Sequence, residues 1–343
     1  MEWKDLSILI TGATGSFGKK FIETVMKHQP RRLIVFSRDE VKQLQMRQKF
    51  VETGYPVLRY FIGDVRDKDR LYRAFQGVDL VVHAAALKQV PTAEYNPLEV
   101  IKTNILGAAN VIDAAIDTGV KKVIALSSDK AVNPVNLYGA TKLCADKLFI
   151  AAGVYAGARE TKFSVVRYGN VMGSRGSVIP IFLERRPTGV LPITDVRMTR
   201  FWITLEQTVE FVLRCLELMQ GGEIFVPKLA SMRIVDLAKA LAPNCRHEIV
   251  GIRPGEKLHE ILITEDEARR TVEFPDFYVV QPGPILRWWS NGHLMGGRQV
   301  PENFCYSSDA NDWWLEPEEL RGILGEDEGA TDTDLYPLRS AMA

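Results

Sequence analysis

Residues 126–142 read LSSDKAVNPVNLYGATK and gather five side chains that can move protons. They are the hydroxyl of Ser128, the carboxylate of Asp129, the amines of Lys130 and Lys142, and the phenol of Tyr138. Tyr138 and Lys142 are four apart, and the pattern of residues 138–150 predicts a helix, so the two share one face. A tyrosine ordinarily titrates near about 10, and a neighbouring ammonium lowers that value. A phenol tuned in this way exchanges a proton with a sugar or alcohol hydroxyl near neutral pH. Alone, the spacing more often marks a half-buried tyrosine and a solvated lysine. The elements that must position it supply the weight.

Those elements alternate strand and helix. Residues 6–10 are an apolar run, and TGATGSFGKKFIETVMKH follows. Gly12, Gly15 and Gly18 stand between that strand and an amphipathic helix. Such a turn lets a pyrophosphate approach the backbone and meet a helix N-terminus, although a glycine-rich turn needs no ligand. Residues 32–37 predict a second strand. A carboxylate at its end would hold an adenosine ribose and favour NAD. The chain instead reads Ser37-Arg38, with Lys42 one turn on, and two cations suit a 2′-phosphate and favour NADP. Asp39 and Glu40 stand beside them, and a solvated helix start has the same composition. Residues 59–62 predict a third strand, after which Asp64 can accept from an adenine amine. Residues 80–83 predict a fourth, ended by His83, read as a packed histidine, and by small Ala84, Ala85 and Ala86. Lys88 follows, within reach of a phosphate or sugar, or simply exposed. Residues 104–117 predict a helix, and 122–126 a fifth strand that delivers Ser127 to Lys130. Ligands in open parallel sheets bind outside the carboxyl ends of the strands. The glycine turn, Asp64, His83 to Ala86 and Ser127 to Lys130 all fall there, and that agreement outweighs any single motif.

Residues 163–168 predict a sixth strand, ending at Gly169, Asn170 and Val171. Beyond it, helices over 205–219 and 234–241 mix with strands over 223–226 and 248–251. The expected fold is α/β: a Rossmann-type doubly wound parallel sheet over 1–175, to which later segments return, with a smaller mixed C-terminal lobe over 176–324. A flexible tail is expected over 325–343. In IRPGEKLHE, Arg253, Glu256 and Lys257 cluster. A guanidinium there can clamp a diphosphate and a carboxylate can hold ribose hydroxyls, though a charged surface turn looks the same. Trp288, Trp289, Trp313 and Trp314 read as packing or interface residues.

The 343 residues allow one large domain, or one domain with a smaller lobe. Acidic and basic residues balance at 43 each, so no net field argues for nucleic acid or an anionic membrane surface. No apolar run approaches a membrane span, and the early first strand leaves no room for a signal peptide. Cys144, Cys215, Cys245 and Cys305 are far apart and form no CxxC, which predicts free thiols in a reducing cytoplasm and no zinc site.

Six separated motifs then carry a resemblance. TGATGSFG, AAALK, SSDKA…YGATK, RYGNVMGSRGSVIP, RMTRFWIT and RPGEKLHE resemble the extended short-chain dehydrogenase/reductases. Within them the chain is similar to the inverting UDP-N-acetylglucosamine 4,6-dehydratases of the pseudaminic acid pathway, over about residues 6–282 and again in YSSDANDWWLEPEEL. Residues 282–303 match nothing in that pattern. The resemblance implies an enzyme with tightly bound NADP, held by Gly12, Thr14, Gly15, Ser16, Phe17 and Gly18; by Arg38, Asp39, Glu40, Val41, Lys42 and Gln43; and by Asp64, Val65, Ala84 and Lys88. Leu126, Ser127, Tyr138 and Lys142, and Val171, Met172, Gly173, Ser174 and Arg175, complete the implied cofactor set. Asn170, Thr194, Arg253 and Glu256, with Lys88, would hold UDP-N-acetylglucosamine. Lys130 would be the family's active-site lysine, with Asp129 beside it, and Ser128 stands where the family often has Thr. A homo-oligomer, dimer or hexamer, is also implied.

The chemistry implied is C4 oxidation, loss of water across C5–C6 and hydride return to C6. Tyr138 takes the O4 proton, Lys130 serves C5 and Asp129 the C6 hydroxyl. A lysine base must be neutral, which needs desolvation or nearby positive charge. Retaining relatives carry Glu in the Lys130 place, so Lys is the cue for inversion at C5. The competing readings are a UDP-sugar 4- or 5-epimerase, which has no use for an acid–base pair at 129 and 130, and a non-catalytic NADP-binding regulator.

Overall fold

The computed structural model describes residues 1–51, 57–157, 159–174, 176–283 and 296–324. Its first half alternates strand and helix: β1 (Ser7–Thr11), α1 (Ser16–Met26), β2 (Arg32–Ser37), α2 (Glu40–Val51), β3 (Leu58–Ile62), α3 (Lys68–Phe75), β4 (Leu80–His83), α4 (Val90–Tyr95), α5 (Pro97–Ile101), α6 (Gly107–Thr118), β5 (Lys122–Leu126), α7 (Leu137–Tyr155) and β6 (Lys162–Val166). The later chain adds β7 (Asn170–Val171), α8 (Val178–Arg185), β8 (Val190–Ile193), β9 (Thr199–Ile203), α9 (Leu205–Leu218), β10 (Ile224–Pro227), β11 (Ala230–Arg233), α10 (Ile234–Leu241), β12 (Arg246–Ile249), β13 (Ile261–Ile263), α11 (Glu265–Ala268), β14 (Thr271–Glu273), β15 (Phe277–Val280), β16 (Arg298–Gln299), β17 (Tyr306–Ser307) and α12 (Pro317–Leu324).

One large sheet runs in the order β16-β14-β15-β10-β6-β5-β4-β1-β2-β3. From β3 through β10 every pairing is parallel, and β15, β14 and β16 add antiparallel strands at the far edge. Alternate side chains of each strand leave by opposite faces. Ile8, Ile10, Leu33 and Val35 pack with Phe21 and Ile22 of α1 and Val209 and Leu216 of α9. Leu9, Ile34 and Phe36 pack with Leu71 and Phe75 of α3, Val111 of α6 and Phe149 of α7. A parallel sheet covered on both faces has continuous apolar strands, which is why β1, β2 and β5 stand out in the sequence. A separate core joins Met172, Ile179, Phe182, Leu191, Trp202, Leu237 and Leu241. The later chain thus divides between the large sheet and this smaller apolar centre.

Some elements differ from their sequence expectation. β6 ends at Val166 and not at 168, although backbone bonds of the same kind run on past it: Ser127 N donates to Val166 O at 2.7 Å and Asp129 N to Tyr168 O at 3.1 Å. The helix expected over 104–117 begins as a π turn, Lys102–Leu106, and becomes α-helical only at Gly107. Asn104 causes the widening, since it points inward, accepts from Leu87 N at 2.8 Å and donates to Leu87 O at 2.9 Å. β12 spans Arg246–Ile249 and not 248–251, in register with β8. The tail over 325–343 and Trp288 and Trp289 lie outside the described residues.

Candidate active site

At the end of β5, Ser127 Oγ donates to the buried Asp146 carboxylate at 2.8 Å. The chain then makes a short 3-10 turn, Asp129–Ala131, capped by Ser128, whose Oγ accepts from Lys130 N at 3.2 Å. The same hydroxyl donates to Asp129 Oδ1 at 2.7 Å, and Lys130 Nζ donates to that oxygen at 3.0 Å. Asp129 is 0 % exposed and its Oδ2 has no hydrogen-bond partner. Asn136 caps α7 by accepting from Gly139 N at 2.7 Å. Gly139 has to be glycine, because a Cβ there would lie 2.2 Å from Lys130 O. The first turn of α7 therefore rests directly on the Asp129–Lys130 turn, and Tyr138 is buried beside it.

Charge states follow from this burial. Burial pushes the Tyr138 phenol up to about 12, with Asp129 adding to the rise while Lys130 and Ser128 pull against it. This corrects the expectation that Lys142 lowers it. Lys142 shares the helix face, but its Nζ is directed to the carbonyl of Leu126 at 2.6 Å, and the cation that acts on the phenol is Lys130. Burial holds Lys142 itself below the usual lysine range, against the pull of Asp146. Lys130 is corrected as well. Burial favours a neutral amine, but the carboxylates of Asp129 and Glu260 outweigh it and leave Lys130 raised, an ammonium. Burial would raise Asp129, yet Lys130 and Ser128 overcome it and keep the carboxylate ionised. In the resting site the shared proton sits on the lysine.

Beside this turn lies a cleft of about 580 Å³, within the range of small-molecule sites. Its walls include Gly12, Thr14, Gly15, Ser16, Phe17, Gly18, Arg38, Asp39, Lys42, Asp64, Val65, Ala84 and Lys88. Leu126, Ser127, Ser128, Lys130, Tyr138, Lys142, Asn170, Val171 and Ser174 complete the set that the structure brings together. Its position is the carboxyl edge of the sheet between β1 and β4, where the strand order reverses. Gly12 has φ +68°, and a Cβ there would come within 2.8 Å of Ala85 N. The N-terminus of α1 carries no side-chain cap, which leaves its amides open to an anion. Thr103 Oγ1 and Asn170 Oδ1 are buried at this cleft without a partner. An amide-edged, hydroxyl-rich dinucleotide fits these features.

Other expected residues are placed elsewhere. Glu40, Val41 and Gly173 do not line the cleft. Gln43 is buried, donating to Ser37 O at 2.9 Å and Phe61 O at 3.0 Å, so it ties α2 to β2 and β3. Met172 belongs to the smaller core. Arg175 lies outside the described residues. Arg38 stands 3.5 Å from Asp64 Oδ2, and Lys42 pairs with Asp39, so each cation at the adenosine end has a carboxylate beside it. Asp64 is held mainly by Arg66, at 2.7 Å. His83 is packed as expected: it meets Thr11 Oγ1 at 2.9 Å, and burial, with Lys142 nearby, lowers it to about 3.

Thr194 follows β8, and Arg253 and Glu256 sit 3.7 Å apart in the turn before β13, none of them on the cleft walls. That turn is docked on the stretch from Asp129 to Asn136. Asn136 Nδ2 donates to Gly255 O at 2.7 Å, and Lys257 Nζ donates to Asp129 O at 3.2 Å and Val132 O at 2.5 Å. Glu256 Oε2 is buried without a partner. Asn104, Thr103, Asp146 and Glu260 were not singled out in the sequence. A polar Asn on the buried side of an apolar helix was the one available signal.

The family described as polysaccharide biosynthesis protein matches residues 8–282. The chain belongs to that family. A UDP-N-acetylglucosamine 4,6-dehydratase (inverting) of Campylobacter jejuni is 55% identical over 331 residues, 94% of this chain and 98% of its own length. A UDP-glucose 4-epimerase of Rickettsia conorii is 45% identical over 283 residues, 80% of this chain and 82% of its own. Among solved structures, that of Pen from Bacillus thuringiensis superposes with a TM-score of 0.86 at 38% identity, covering 95% of this chain and 100% of that one. The extended short-chain dehydrogenase/reductase architecture expected from the six motifs is the architecture observed.

Proposed function

We propose that this chain is a UDP-N-acetylglucosamine 4,6-dehydratase that inverts C5. The observation that carries the reading is the buried Asp129–Lys130 ion pair, 3.0 Å apart and next to Tyr138 at the edge of the dinucleotide cleft. An epimerase at C4 has no step that needs such a pair. When bound, a nicotinamide dinucleotide supplies the hydride acceptor and donor. Tyr138, a neutral phenol in the resting site that the positive charge of an oxidised nicotinamide would help to ionise, then takes the O4 proton as C4 becomes a ketone, which acidifies the C5 hydrogen. Lys130 removes that hydrogen as a proton, and Asp129 protonates the departing C6 hydroxyl. Both roles need the proton on Asp129, and one transfer across the 3.0 Å contact converts the resting pair without solvent. Inversion requires that C5 then receive a proton on its opposite face, from solvent replenished by the proton that Tyr138 took; Lys130 keeps the proton it removed and Asp129 stays ionised, which restores the resting pair.

Asn170, Lys88, Thr194, Arg253 and Glu256 would hold the UDP-sugar; the orphaned oxygens of Asn170 and Glu256 suit hydroxyl or amide donors of a ligand. Arg38 and Lys42 favour NADP over NAD. The nucleotide released on denaturation and identified by mass spectrometry tests that choice. No described helix is long and apolar enough to cross a membrane. The reading includes a cytoplasmic homo-oligomer acting in pseudaminic acid or surface-glycan synthesis.

The deciding experiment is incubation with UDP-N-acetylglucosamine in deuterated water without added cofactor, followed by mass spectrometry and proton NMR. A product lighter by one water, with a 6-methyl signal, deuterium at C5 and couplings of the inverted sugar, is expected. The 45% identity to a 4-epimerase supports a second reading, for which the product is an isomer of unchanged skeleton.

A further inference from the structure

RMTRFWIT and RPGEKLHE hold charged residues that the proposed chemistry does not use: Arg200 in the first, Lys257 and Glu260 in the second. All three meet beneath the Asp129–Lys130 turn. Glu260 is buried, its side chain 4 % exposed. Its Oε1 lies 3.6 Å from Lys130 Nζ and 3.7 Å from Arg200 Nε, and its Oε2 lies 3.5 Å from Lys257 Nζ. Ser308 clamps its backbone from both sides, accepting from Glu260 N at 2.9 Å and donating to Glu260 O at 2.8 Å.

The neighbouring cations are committed to carbonyls. Lys257 Nζ donates to Asp129 O and Val132 O. Arg200 donates to Thr199 O at 2.6 Å, Leu258 O at 3.0 Å and Lys257 O at 3.0 Å. Lys130, by contrast, meets two carboxylates, Asp129 from its own turn and Glu260 from the segment before β13. Tyr138 faces it from α7 and Arg200 from β9. The cluster therefore sets three cations (Lys130, Arg200, Lys257) against two carboxylates, and without Glu260 it would set three against one. Surplus buried positive charge is relieved most readily by the lysine giving up its proton.

We propose that Glu260 is a positioning residue, which holds the Lys130 ammonium against Asp129 from across the lobes and fixes the resting place of the proton that the pair shares. For catalysis this rests on the dehydratase reading. The charge state of Lys130 can be measured without any substrate. At about pH 9, brief acetic anhydride labelling followed by peptide mass spectrometry compares Lys130 with the exposed Lys239 of the same sample. Removing an opposite charge at this distance moves a neighbour by about one to three pH units, and each unit is tenfold in free amine. Glu260→Gln is expected to raise the Lys130:Lys239 labelling ratio at least about tenfold. In turnover, the alkaline limb of its kcat profile is expected to move down by a matching amount. Should Glu260→Gln fail to fold, Glu260→Asp sets the charge one methylene farther away, and a smaller rise in the ratio is expected. An unchanged ratio in either folded variant overturns the proposal. If the ratio rises but the wild type forms no dehydrated sugar, the functional reading fails and the role of Glu260 stands.

Discussion

Replacing Lys130 with Met keeps the length of the side chain and removes the main partner of a carboxylate that is 0 % exposed. Breaking a buried pair by removing one member costs about 3–5 kcal/mol, because the other charge stays buried. Arg200 still faces Asp129, and the Lys130 site retains 29 % exposure, so the low end, about 3 kcal/mol at neutral pH, is the expected loss. The pH dependence gives this figure its signature. In the wild type the Asp129 value is depressed, so its stabilisation is present above the unfolded value of 3.8 and is lost only as pH falls through the lower folded value. In Lys130→Met, burial is opposed only by Ser128 and Arg200 and raises Asp129 above 3.8, so the variant loses stability as pH rises. The gap between the two proteins therefore widens from pH 4 to pH 7, by about 1.4 kcal/mol for every tenfold change in the ionisation constant. The raised value of Lys130 adds stability that is present below 10.5 and lost only at more alkaline pH, so it does not bend this window. Urea unfolding followed by tryptophan fluorescence at several pH values measures the gap. A gap of constant size from pH 4 to pH 7 would refute the account of Asp129 as a buried carboxylate held ionised by Lys130.

Three further outcomes are expected. Gly139→Ala places a Cβ 2.2 Å from Lys130 O and must push α7 off the Asp129–Lys130 turn, so kcat should fall about 100-fold while nucleotide retention changes little; an unaffected kcat counts against the close approach. Asn104→Ala leaves Leu87 N and O without their partner and should lower unfolding stability by about 3 kcal/mol, read by chemical denaturation. Tyr138→Phe removes the group proposed to exchange the O4 proton and should cut kcat by about 10² to 10⁴ with KM nearly unchanged, measured by product formation over a range of substrate concentrations.

The strands and the cleft were largely legible because a doubly wound parallel sheet makes local sequence do global work. Inner strands carry near-continuous apolar runs, as in residues 33–36 and 123–126, and ligand-facing residues follow the strand ends. Boundaries failed where a distant partner set them. The π turn at Lys102–Leu106 exists because Asn104 reaches the loop at Leu87, and β12 takes its bounds from its register with β8.

The sequence alone determined the residue types and their order: a glycine turn, strand-end polar groups, and Asp129, Lys130, Tyr138 and Lys142 within one strand–turn–helix unit. Those are local facts, set by spacing along one chain. Which groups are charged was decided only by tertiary structure. Lys142 is turned to the Leu126 carbonyl, Tyr138 is pushed up to about 12 by burial, and Lys130 stays an ammonium because it faces both Asp129 of its own turn and Glu260 from far along the chain. Desolvation and the field of remote charges depend on positions in space, and nothing in the spacing of residues 126–142 encodes them.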